Sequence, residues 1–247
     1  MTAAPAFSII VACRNPGPRL AAALASVWEQ REVELELIVV DGGSSDGSRD
    51  WLEVRRPRIA HLVSEPDRGV YDALNKGLAA ARGDWILFLG SDDRLAGERV
   101  LSETANWMKR TEAGVVVGEA AYDDGRIHRL RSHVNPLARN FVHHQAAFYR
   151  RSLFEENGGF DASLRVMADY DFNVRLWKNH VRFKPIPLRI AACGVGGMSD
   201  AGRWRDYREE MAVRHRYFSA PRCLPWDVLS TLRWAGGAAR LPFVRSR

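Results

Sequence analysis

The chain has 247 residues, 46% of them hydrophobic and 27% charged, which fits one large or two small globular domains and excludes disordered, collagen-like and disulfide-stapled classes. Its net charge is +6, and residues 203–247 hold ten Arg, no Lys and four acids, so the whole excess lies in this tail. A uniformly basic nucleic-acid binder is not built that way, whereas a neutral catalytic body with a basic appendage is.

Taken in chain order, residues 7–12 form a short apolar, β-branched run that predicts a buried strand. Pro16-Gly17-Pro18 breaks it, and Leu20, Leu24, Val27 and Trp28 are spaced for one face of a helix. A second strand over 35–40 runs into the turn-rich Asp41-Gly-Gly-Ser-Ser-Asp-Gly47, followed by a short helix over 48–54 and a third strand over 59–63. After the loop 65–69, Val70, Leu74, Leu78 and Ala81 mark another helix, and residues 85–89 a fourth strand ending at Gly90-Ser-Asp-Asp93. Strands with continuous apolar runs, alternating with helices, indicate an α/β fold with a mainly parallel sheet covered on both faces.

Beyond residue 94 the pattern loosens. A helix is expected over 99–109, a strand over 115–117, and a hairpin turning at Asp123-Asp124-Gly125 between 119–122 and 126–130. Residues 168–179 read as helix, and 181–190 as an edge strand because Pro185 and Pro187 interrupt it.

Ligands of open α/β sheets bind outside the carboxyl ends of the strands. Asp41, Asp67 and the pair Asp92 and Asp93 fall there in succession. Any one of them alone reads equally well as a turn former. Together they make a rim that suits Mg²⁺ or Mn²⁺, ions that take one or two carboxylates plus substrate phosphates. Arg68 and Lys76 on the same rim suit diphosphate oxygens. There is no G-x-G-x-x-G, no P-loop and no G-x-S-x-G elbow, which excludes the common dehydrogenase, NTPase and hydrolase patterns.

Four segments, Ser8-Ile-Ile-Val, Val39-Val-Asp41-Gly-Gly-Ser-Ser-Asp-Gly47, Asp67-Arg-Gly-Val-Tyr-Asp-Ala-Leu-Asn-Lys-Gly77 and Gly83-Asp-Trp-Ile-Leu-Phe-Leu-Gly-Ser-Asp-Asp93, resemble the successive motifs of family 2 glycosyltransferases. The resemblance is dense over residues 7–93 and thinner through residue 200. It implies a GT-A fold and an inverting transfer of a sugar from a nucleotide-diphosphate donor, UDP-linked by default, in cell-surface polysaccharide synthesis. On this resemblance Asp41 contacts the base or ribose, Asp67 lines the base pocket, and the segment from Arg68 to Lys76 holds nucleotide and sugar. Ser91-Asp92-Asp93 matches the metal-binding D-x-D position, with Asp93 as the metal ligand and Asp92 near the ribose or donor sugar. Its first position is Ser, one carboxylate fewer than the motif. Ala168-Asp169 stands where the family usually reads Glu-Asp, so Asp169 is expected as the general base, with Asp171 as runner-up because the two point in different directions on a helix. The bland reading of Asp169 is a carboxylate favouring a helix N-terminus.

His143-His144-Gln145 matches a His-Gln common in related enzymes, and His144 is expected to line the acceptor cleft or a phosphate. Two adjacent His cannot both face inward on a strand. Gly194-Val-Gly-Gly-Met-Ser199 resembles the segment before the family's closing loop. His128, His133, His180 and His215 lack ligand spacing and read as surface or packing residues.

The catalytic domain is expected over 1–202, with a nucleotide half at 7–93 and an acceptor-side half at 94–202, and a helical extension at 203–247. Residues 226–235 predict an amphipathic helix, and Arg among Trp and Leu suits an interfacial helix on an anionic membrane. The alternative is that these aromatics pack on the body. No RRM, KH or zinc pattern accompanies the charge, so no nucleic acid is expected. Three widely spaced Cys, no secretory leader and no run of ~18 apolar residues favour a cytoplasmic chain, peripheral on the inner face of the membrane. A saccharide or polyprenol-diphosphate-linked acceptor is the matching partner. The rival readings are a catalytically silent scaffold of the same fold and a sugar-phosphate nucleotidyltransferase. The latter lacks its glycine-rich activating loop after the first strand.

Overall fold

A computed structural model describes residues 5–131, 134–194 and 203–236. The front half alternates strand and helix: β1 (Phe7–Cys13), α1 (Arg19–Trp28), β2 (Leu35–Asp41), α2 (Ser48–Val54), β3 (His61–Ser64), α3 (Val70–Ala80) and β4 (Trp85–Gly90). The back half holds β5 (Arg94–Leu95), α4 (Val100–Met108), β6 (Val115–Tyr122), β7 (Ile127–His128), β8 (Ala147–Arg150), α5 (Ser152–Asn157), α6 (Ala168–Lys178) and β9 (Phe183–Cys193). Two helices follow, α7 (Trp204–Tyr217) and α8 (Ala220–Ala235).

All the strands lie in one sheet, ordered β3-β2-β1-β4-β8-β6-β9-β5, with β7 paired to β6. The four front strands are mutually parallel. β8 joins β4 and β6 antiparallel, and β9 runs parallel to β6, so the sheet becomes mixed in its back half. Alternate residues of β1 supply two cores, as the two-residue period of a strand requires. Phe7, Ile9 and Val11 pack with Leu20 and Leu24 of α1, Leu52 of α2 and Leu101 of α4. Ile10 packs on the opposite face with Leu74 of α3 and Phe172 of α6. α3 comes so close to β1 that a Cβ at Gly77 would lie 2.5 Å from Ile10 Cγ2.

Several sequence expectations need correction. The third strand starts at His61, because Arg56–Arg58 form a 3-10 turn and consume the residues before it. The strands expected over 115–117 and 119–122 are one strand, β6, and its hairpin partner β7 is only two residues long. β9 lies between β6 and the short β5, but β5 pairs only with Ala191 and Ala192, so residues 183–190 have a strand on one side only and are the edge expected of them. Pro185 and Pro187 sit before that contact and around a register shift, so neither needs to donate a ladder hydrogen bond. The helix expected over 226–235 begins earlier, with Pro221 in its first turn, where a missing N–H costs nothing.

Candidate functional site

The strand ends place the acidic rim. Asp41 is the last residue of β2, fully buried, and its two oxygens accept from the Ser44 amide at 3.2 and 3.1 Å and from Ser64 Oγ at 2.6 Å, with the Ser44 hydroxyl also bonded. Asp67 comes across from the loop after β3. It accepts from the Gly69 amide at 2.9 Å, and a Cβ at Gly42 would lie 2.1 Å from its Oδ2. Burial, with the charges of Asp41, Asp46 and Asp67, pushes the Cys13 thiol up to about 12. Arg68 pairs with Asp72 at 2.9 Å, and Lys76 bridges Glu65 at 2.7 Å and Asp72 at 3.7 Å, so both cations line the start of α3 beside Asp67.

Asp92 and Asp93 share the next corner, after β4. Asp92 lies 3.7 Å from Arg19 at the start of α1. Asp93 is buried, folds back over Gly90, where a Cβ would overlap its carboxylate, and accepts from the Gly194 amide at 3.1 Å. Burial and the charge of Asp92 hold Asp93 above the ordinary carboxylate value, against the Gly194 amide, the charge of His144 and the side chain of Gln145.

These observations test the site for a divalent cation. Asp93 is a buried carboxylate raised by desolvation and by a like charge, an imbalance that a cation relieves. No group of three His, Cys, Asp or Glu able to hold a metal occurs among the described residues. A buried carboxylate with a second one beside it offers the oxygen donors that an Mg²⁺ or Mn²⁺ ion takes together with phosphates and water.

Asp169 sits at the start of α6, only 8% exposed, with three donors on its two oxygens: Tyr71 Oη at 3.0 Å on one, Asn140 Nδ2 at 2.7 Å and His144 Nδ1 at 3.1 Å on the other. A carboxylate only accepts, so His144 carries its proton on Nδ1. Burial pushes Asp169 up, but the hydrogen bonds and charge of His144 and the hydroxyl of Tyr71 outweigh it and leave the pKa below the ordinary value. Asp171 points elsewhere, to Arg175 at 3.2 Å, Arg216 at 3.1 Å and Tyr217 Oη at 2.9 Å, tying α6 to α7.

His144–Ala146 form a 3-10 turn capped by His143, not a strand, so the strand alternation expected of His143 and His144 does not apply. His144 bonds Asp169 while Gln145 lies near enough to Asp93 to favour its charged form, so consecutive side chains face the two carboxylate corners. His143 is also engaged, with Tyr122, and burial holds it down to about 3. Sequence reasoning missed Tyr71, Asn140 and Gln145. Tyr71 and Gln145 stood inside quoted motifs, while Asn140 carried no local signal. Residues 195–199 of the glycine-rich segment, and His133, lie outside the described residues. The His128 ring lies tilted against that of His143 with centroids 5.3 Å apart, and His215 pairs with Asp227 at 2.7 Å. No helix among the described residues is long and apolar enough to cross a membrane.

The family model of glycosyl transferase family 2 covers residues 8–163. A PGL/p-HBAD biosynthesis glycosyltransferase of Mycobacterium bovis BCG is 36% identical over 192 residues, covering 72% of this chain and 72% of the relative. An uncharacterised glycosyltransferase of Mycobacterium tuberculosis is 34% identical over 233 residues, covering 88% and 87%. Residues 1–349 of Staphylococcus aureus TarS, solved with UDP-GlcNAc, align with a TM-score of 0.71 at 18% identity, covering 96% of this chain and 76% of that one. Mannosyltransferase PcManGT of Pyrobaculum calidifontis, solved with GDP-Man and Mn²⁺, aligns with a TM-score of 0.68 at 23% identity, covering 98% and 77%. By this family match and these relatives, the chain is a glycosyltransferase of the GT-A fold and belongs to glycosyl transferase family 2.

Proposed function

We propose that the enzyme transfers a sugar, with inversion, from a UDP-linked donor to a hydroxyl of a saccharide or polyprenol-diphosphate-linked acceptor. The observation that carries this reading is the pair of buried carboxylates, Asp169 held by Tyr71, Asn140 and His144 and Asp93 held by the Gly194 amide, with the turn at His144 and Gln145 between them. One corner suits a base and the other a cation, as an in-line displacement at the anomeric carbon requires.

Asp41 and Asp67 hold the base and ribose, Arg68 and Lys76 exchange their carboxylate partners for phosphate oxygens, and Asp92 meets the ribose or donor sugar. Asp93 is the protein ligand for Mg²⁺ or Mn²⁺. When bound, the ion offsets charge gathering on the departing diphosphate. Asp169 takes the proton of the attacking hydroxyl, while Tyr71, Asn140 and His144 fix its oxygens. The bound donors of the two solved neighbours support the nucleotide-sugar class, and the Mn²⁺ of PcManGT supports the metal. The name of the mycobacterial relative supports a biosynthetic glycosylation.

Thermal unfolding against UDP, GDP, dTDP and CMP, each with and without Mn²⁺, tests the donor side. A ligand at ~100 times its Kd adds about 2.7 kcal/mol, a visible rise in midpoint. The expected result is a shift with UDP that Mn²⁺ enlarges and Asp93→Ala abolishes. NMR of the product tests the acceptor side, and a retained anomeric configuration would remove Asp169 from its role.

A further inference from the structure

We propose that the outward face of α8 docks on an anionic lipid bilayer. Leu224, Val228 and Leu232 recur every four residues, with Leu229 beside them, and Leu224 and Leu232 are 63% and 62% exposed. On an α-helix this spacing is a single stripe, here more than two turns long. Among the exposed positions of α8, Arg222 alone carries a charge. The opposite side is fixed to the molecule through the buried Cys223 and Ser230, so the stripe is the surface left over after folding, not a face awaiting its core. An apolar stripe held rigidly outward marks an interaction surface.

Charge identifies the occupant. The four acids of the α7–α8 pair are all engaged in hydrogen bonds or ion pairs. Asp206 is buried against the start of α7, and Glu209 accepts from the Arg165 and Val166 amides at 2.9 Å. Glu210 pairs with Arg214 and Arg233 at 2.9 and 3.1 Å, and Asp227 with His215 at 2.7 Å. What remains exposed is arginine, including Arg208 and Arg222. Arg208 lies seven residues before His215 on the row of α7 that meets α8 at Asp227, hence beside the stripe. Residues 237–247 add three more Arg and no acid. A second copy of the chain would set two arginine-bearing faces against each other. An anionic bilayer supplies the opposite charge and accepts the leucines, the pairing by which interfacial helices bind.

Docking there has a consequence for the reaction that rests on the proposed acceptor-side role of Asp169. α7 holds the segment before α6 through Glu209, and Tyr217 holds Asp171, so the docked surface is braced to the helix that carries Asp169. A lipid-linked acceptor in the same bilayer would be met from the base's side.

The test is co-sedimentation of the full chain with vesicles of phosphatidylcholine alone and with one-quarter phosphatidylglycerol. The expected result is a pellet with the anionic vesicles, lost in high salt, and at least tenfold less bound with phosphatidylcholine. Leu224→Glu with Leu232→Glu, and separately Arg208→Glu with Arg222→Glu, should each return the protein to the supernatant while keeping its thermal midpoint and its nucleotide-induced shift. The proposal is overturned if the wild-type chain stays in the supernatant, if both variants still pellet, or if light scattering finds a dimer that Leu224→Glu dissolves. The nucleotide shift is read independently, so failure of docking and failure of the transferase reading give different results.

Discussion

Asp169 combines burial with three hydrogen-bond donors, and the balance decides its charge. Desolvation raises its pKa, yet the hydrogen bond and charge of His144 and the Tyr71 hydroxyl bring it below the ordinary value and so favour the ionised form that accepts a proton. Asp169→Asn keeps the shape and removes the base. Its kcat should fall by about 10²–10⁴-fold, the range of general-base contributions, with the UDP-induced thermal shift unchanged. Tyr71→Phe removes a single donor to a charged acceptor. A loss of ~1.5 kcal/mol there corresponds to about tenfold in kcat, and single-turnover measurements separate it from product release. A kcat unchanged in both variants would place the base elsewhere in the molecule.

Among the elements, the start of β2 is bound to its neighbours by one buried acid. Glu36 accepts from Ser8 Oγ of β1 at 2.6 Å and from the Arg82 amide at 2.6 Å, and pairs with the Arg82 guanidinium at 2.9 Å, just before β4. Burial pushes Glu36 up, but these hydrogen bonds and the Arg82 charge hold it below its ordinary value. An acid whose folded pKa is depressed contributes stability that is complete above its unfolded value, near 4.5, and is lost as pH falls through the folded one. Glu36→Ala should cost about 1–3 kcal/mol at neutral pH, and the difference from wild type should shrink below pH ~4 in denaturant titrations. The front strands were legible in sequence because each is an uninterrupted apolar run closed by Gly, Pro or Asp. β5, β8 and α5 were not, being too short to display a period. The acidic rim was legible for the same reason, since its carboxylates stand directly at strand ends. Asn140 and the partnership of Gln145 with Asp93 depend on a loop folding across the sheet, which no local pattern announces.

For the molecule as a whole, Arg214 is the keystone between α7, α8 and the body. It is fully buried, pairs with Glu210 at 2.9 Å and Asp227 at 3.4 Å, and donates to Ser230 Oγ at 2.6 Å and to the Leu137 carbonyl at 3.4 Å. Arg214→Ala leaves buried acids without their central partner and should destabilise by roughly 3–5 kcal/mol, read as a lower thermal midpoint of the full chain. The sheet itself has a seam, where the parallel front strands meet the mixed back half through only three residue pairs of β4 and β8. Polar ties that cross it include Asn75 in α3, which bonds the backbone of Phe160 in both directions at 2.8 and 2.9 Å, Tyr71, which reaches Asp169, and Gln30, which donates to the Gly97 carbonyl at 2.6 Å. A recombinant that exchanges back halves between relatives, to combine one donor preference with another acceptor, therefore has its natural crossover at β4, and must carry a matched Tyr71 and Asn75 on the incoming side's behalf.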